Sequence, residues 1–170
     1  MSDMLKFKIP PAFIKPRVRL SLSEIKYGHH EGWIEANDVI TLCTWYLDSG
    51  QVSQTEEALA LLLSDEADQV AGILECADTG RVAGDVRSVW RFLALAWAYE
   101  NRENLGDALG MVEILYADFD YPSEMESFVR YMPAKPGQKT GIDALISRWE
   151  EYVCSEGALY RSRGWVPEAD

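Results

Sequence analysis

The residues best suited to chemistry are few, and their spacing is poor for it. His29 and His30 are adjacent and precede Glu31. Neighbouring helical positions point about 100° apart, so the pair cannot share one tetrahedral metal with good geometry. A solvated helix end is the plainer reading. Asp118 and Asp120 flank Phe119, and paired carboxylates can do acid–base work when their environments separate their pKa values. Here they run into Tyr121-Pro122, which reads as a turn. Cys43, Cys76 and Cys154 lie far apart with no CxxC pair; Cys43 and Cys76 fall on apolar helical faces, where a thiol acts as a small hydrophobe, and Cys154 lies near Val153. The chain lacks HExxH, EF-hand spacing and a GxSxG elbow, and Gly80, Gly84, Gly106 and Gly110 are too isolated to form a phosphate cradle. The sequence therefore predicts no catalytic residue, no metal and no cofactor. An enzyme would need a deep pocket bringing His29 or His30 together with two carboxylates.

The elements that would position these residues are helical. Ser21 and Glu24 form a capping box flanked by Leu20 and Ile25, opening a helix that stops before Gly32. A second helix is expected from about Asn37 to Ser49. Ser53 and Glu56 box a third, and Ser64-Asp65-Glu66 restarts the chain into a fourth. A fifth carries the stripe Val86, Val89, Trp90, Leu93, Ala94 and Trp97 after an Asp85 cap. A sixth follows Asp107, a seventh starts at Pro122-Ser123 and ends at Pro133, and the last runs from Ile142 past Val153. Residues 1–20 differ: Pro10, Pro11 and Pro16 forbid an early helix, so an extended strap is expected there. The reading is all-α, one compact bundle of seven or eight helices, with a strap over 1–20 and a single domain over 21–170.

Charge is the uneven feature of this 170-residue chain, whose formal net charge is −12. Residues 1–26 hold six basic and two acidic side chains, whereas residues 27–80 hold eleven acidic side chains and no Lys or Arg. Such a balance offers no general attraction for nucleic acid or anionic lipid. No apolar run has the length of a membrane span or signal peptide, and the odd cysteine count argues against a disulfide framework, so a reducing cytoplasm is the expected home. Most of the acids sit where they cap helix N-termini. Glu31, Asp48, Glu75 and Asp78 do not, because each falls near a helix C-terminus, where negative charge is unfavourable. They are the candidate partner-binding residues. Trp33 and Trp165, each directly after a glycine and outside the apolar stripes, join them as either packing residues for the strap or exposed interface anchors.

The motif Phe13-Ile14-Lys15-Pro16-Arg17-Val18-Arg19-Leu20-Ser21, with Glu24-Ile25-Lys26-Tyr27-Gly28 and Gly32-Trp33-Ile34, resembles a family of short bacterial proteins of unknown function. The resemblance is clearest over residues 13–47. Such proteins look like those encoded in polymorphic-toxin neighbourhoods, where small acidic cytoplasmic proteins act as immunity partners. The resemblance implies no catalytic residues. It implies a non-catalytic immunity-type protein that blocks a basic toxin domain through its acidic surface. The alternative is a helical scaffold or regulatory subunit that binds its partner through an apolar groove. The sequence leaves open the partner's identity, the oligomeric state, and whether the basic strap neutralises the acidic block.

Overall fold

In the computed structural model, residues 7–50, 52–77 and 85–162 are described; their regular elements are all helical, without a strand. Asp78 and Trp165 lie outside the described residues, as does any continuation of the last helix beyond Ser162. The chain divides into two compact units, the first reaching Trp90 and the second beginning at Arg91.

The N-terminal unit begins with the strap. It is not wholly extended: α1 (Pro11–Ile14) is a single helical turn capped by Pro10. Prolines early in a helix cost nothing, since the first amides have no intrahelical partner and the ring presets φ, so Pro11 starts this turn rather than forbidding it. Ile9, Ile14, Val18 and Leu20 are all buried, which pins the strap to the helices beneath.

α2 (Leu22–Glu31) opens on the expected Ser21/Glu24 box and closes at Gly32, whose φ of 86° suits a residue without a side chain. Gly28 has a separate role. A Cβ there would overlap the ring of Trp90, so glycine permits the contact in which Trp90 Nε1 donates to the Glu24 carbonyl at 2.8 Å. α3 (Ala36–Asp48) buries Val39, Leu42, Cys43 and Tyr46 along one side. α4 (Gln54–Ala60) packs against α3 and opens on the Ser53/Glu56 box. The next stretch is a 3-10 helix, Ser64–Gln69, leading into the short α5 (Val70–Cys76). The expected fourth helix is therefore split, its acidic first half wound more tightly than its apolar second half.

The division between units falls inside α6 (Val86–Glu100). Its burial is wider than one stripe, for Phe92, Leu95 and Ala96 are as buried as Val89, Trp90, Leu93 and Ala94. A helix apolar nearly all round is a core helix.

In the C-terminal unit, α7 (Ala108–Asp118) starts at the Asp107 cap and buries Leu109, Val112 and Leu115. The expected helix over 123–132 is only a 3-10 segment, Ser123–Phe128. Pro122 occupies the cap position there, so Ser123 cannot act as the N-cap. Met125 and Phe128, three apart, share one ridge of the tighter helix, and Val129 then turns extended to bury its own side chain. α8 (Ile142–Arg161) packs on this segment, with Trp149 fully buried and donating to the Leu95 carbonyl at 3.2 Å. No helix among the described residues is long and apolar enough to cross a membrane.

Candidate functional site

The acidic stretch lies in the N-terminal unit, and much of its charge has a local use. Asp38 accepts from the Glu35 amide at 2.8 Å, Glu56 from the Ser53 amide at 3.3 Å, and Glu66 from the Leu63 amide at 2.9 Å. Among the described residues, Glu35 and Glu56 pair with the basic strap. Lys8 stands 3.8 Å from Glu35, an exposed pair worth little. Arg19 stands 2.7 Å from Glu56, with side chains only 18% and 7% exposed. Glu56 Oε2 makes no aligned hydrogen bond and rests on this charge. The Arg19 guanidinium also lies 3.8 Å over the ring of Tyr46, whose hydroxyl accepts from the Leu20 amide at 3.1 Å. Strap and acidic helices thus meet within one molecule. Burial and the Glu56 charge push the nearby Cys43 thiol up to about 12, which keeps it an un-ionised core residue.

Among the described residues, the sequence-derived candidates do not all gather into one site: Glu31 and Glu75 both lie near His30, and Asp48 and Trp33 lie elsewhere. Glu31, the last residue of α2, lies 3.3 Å from His30 Nδ1. Glu75 is exposed near the end of α5 and lines a hollow of about 260 Å³ with Lys26, His29, His30, Ala71 and Leu74. Basic side chains from outside α5 thus stand beside Glu75, which sequence spacing could not reveal. The hollow holds one carboxylate rather than two, and no group of His, Cys, Asp or Glu able to hold a metal occurs among the described residues. Burial, then the charges of Lys8 and His30, lower the pKa of His29. Asp48 is exposed at the end of α3, with no ion pair among the described residues.

Trp33 is corrected as an interface anchor, because it is only 2% exposed. Its ring meets Phe7 edge-on at 5.6 Å and its carbonyl accepts from the Ile9 amide at 3.0 Å, so it packs the strap. Cys76 departs from the apolar reading in the other direction, being exposed, and Cys154 is exposed as well. In α5 the buried residues are Val70 and Leu74, one turn apart, and Cys76 is off that line.

One feature of the acidic stretch escaped the sequence reading. Leu61 and Leu63 are 66% and 64% exposed. They follow α4 directly, and the Leu61 amide donates to the Glu57 carbonyl at 3.1 Å, placing Glu57 one turn below Leu61. Leu63 is clamped from the other side, its amide bonded to Glu66 Oε2 and its carbonyl accepting from the Glu66 amide at 2.9 Å. Glu57, Asp65 and Asp68 around them are exposed and form no ion pair among the described residues. The available signal was the run Leu61-Leu62-Leu63, since three consecutive leucines at a helix end cannot all face one core.

A family model described as an uncharacterized protein conserved in bacteria, DUF2247, matches residues 11–157. The chain belongs to DUF2247. The match bears out the expectation of a bacterial family of unknown function, and it spans both units. No curated protein and no solved structure matches this DUF2247 chain.

Proposed function

We propose that this DUF2247 protein is a non-catalytic binding protein whose contact surface is the leucine-centred acidic segment over residues 57–68, and that its partner is a basic protein domain. The observation that carries the reading is the pair Leu61 and Leu63, largely exposed amid Glu57, Asp65 and Asp68. Apolar anchors with a charged surround are the usual anatomy of a protein interface. The surround is negative and unneutralised, so electrostatics favours a cationic partner, speeds encounter and rejects acidic competitors. An immunity role against a toxin domain is one such use, supported by the resemblance over residues 13–47 and by the charge.

The test is co-purification with basic toxin-like domains encoded beside the gene, with affinity measured at rising salt. Leu61→Ser with Leu63→Ser should weaken the complex by about tenfold or more, as truncated anchors do. Glu57→Lys with Asp65→Lys should mainly slow association and flatten the salt dependence. A complex indifferent to both double variants rejects the surface. A complex sensitive to the leucines but not to salt favours the scaffold reading, with an apolar contact.

A further inference from the structure

The hollow between α2 and α5 contains no residue of the leucine segment and does not depend on the reading above. Lys26, His29 and His30 line it from α2, and Ala71, Leu74 and Glu75 line it from α5. Within each set the spacing is i, i+3, i+4, so each helix turns one face into the hollow. Leu74 is buried and forms the floor, whereas Ala71 and Glu75 are exposed at the mouth. A volume of about 260 Å³ equals the liquid share of about nine waters, which is room for a small molecule rather than a single ion.

The charges around the hollow divide into those with partners and those without. Lys8, whose charge reaches His29, stands 3.8 Å from Glu35, and His30 Nδ1 stands 3.3 Å from Glu31. Burial, then Lys8 and His30, hold His29 below its ordinary pKa. At neutral pH it is therefore an uncharged ring, able to donate one hydrogen bond and accept another. Lys26 and Glu75 remain. Neither forms an ion pair among the described residues, so they share the hollow without reaching each other. Glu75 also lies in the last turn of α5, where the backbone carbonyls add to its negative potential. The hollow is thus close to neutral as a whole but polarised from one wall to the other. A simple anion would be repelled by Glu75, and a simple cation by Lys26. A molecule carrying both charges a few bonds apart satisfies both walls.

We propose that this hollow binds a free aliphatic α-amino acid, its carboxylate at Lys26 with His29 beside it, its ammonium at Glu75, and its side chain over Leu74. The probe is L-leucine titrated into the full chain, followed by NMR of the His29 and Lys26 side chains. Isocaproate and isopentylamine, which each keep one of its two charges, serve as comparisons. L-leucine should shift both sets of signals saturably. Each one-charge compound should bind about threefold or more weakly, having lost one partly solvated ion contact. Lys26→Met and Glu75→Gln should each weaken L-leucine by a similar factor, and circular dichroism should show both variants folded. Leu61→Ser with Leu63→Ser should leave L-leucine binding unchanged. No saturable shift with L-leucine, equal binding of either one-charge compound, or affinity unchanged in both Lys26→Met and Glu75→Gln would overturn the proposal. Loss of binding in the Leu61/Leu63 variant alone would overturn it too, by placing the amino acid on the leucine segment.

Discussion

Arg19 and Glu56 form an ion pair at 2.7 Å across the seam between the strap and α4, with the Arg19 guanidinium stacked over Tyr46. Both charges are largely out of water, so removing one leaves the other without a counter-charge. Arg19→Met should destabilise the protein by about 3 kcal/mol, within the range seen when a buried pair loses one member. Glu56→Gln keeps the capping-box geometry, because glutamine substitutes for glutamate there. The double variant should therefore be destabilised by clearly less than the sum of the singles. Urea unfolding of the four proteins in a double-mutant cycle checks this.

Gly28→Ala probes the contact between α2 and Trp90. The added methyl overlaps the indole ring, and that ring is fixed by its bond to the Glu24 carbonyl. Overpacking of this kind costs about 1–3 kcal/mol. Chemical denaturation should show the loss, and Trp90 fluorescence should shift with it. Unchanged stability would mean that α2 can move away from the ring freely.

His29 should make stability depend on pH. Its folded pKa lies below its ordinary value of 6.5, chiefly through burial and then through Lys8 and His30. The unfolded chain therefore binds the proton more readily. Stability is unaffected by His29 above pH 6.5 and falls as pH drops below that value toward the folded pKa. His29→Gln should flatten this part of the curve, read as the urea midpoint across mildly acidic pH. A wild-type-like slope in that variant would assign the dependence to other groups.

Thiol labelling should separate the cysteines. Cys76 and Cys154 are exposed and should react with a maleimide in the native protein at neutral pH. Cys43 is buried, with its thiol pushed up to about 12, and should react only on unfolding. Mass spectrometry of labelled peptides distinguishes the three. Native labelling of Cys43 at the rate of the others would contradict the packing of α3.

The helices that announced themselves were those with local instructions. The Ser21/Glu24 and Ser53/Glu56 boxes, the Asp107 cap and the glycine after Glu31 act over three or four residues, and each stands where spacing placed it. What sequence could not convey was non-local. Pro11 starts a turn because the strap is anchored by burial of Ile9 and Ile14. The segment after Pro122 tightens to a 3-10 helix because Val129 must turn inward. The site residues fared similarly: Glu31 and Glu75 looked anomalous only until His30, Lys26 and His29 came beside them through folding. Trp33 needed the strap's position to reveal its burial, and Leu61 and Leu63 needed the end of α4.

On the proposed function, the segment around Leu61 and Leu63 contacts the partner. Amide hydrogen exchange on the full chain, free and bound to a basic partner domain recovered by co-purification, tests this most directly. Exchange over residues 57–68 should slow on binding, with the remaining helices little changed. A stable complex in which 57–68 exchanges as fast as in the free protein, with protection confined elsewhere, would contradict the account.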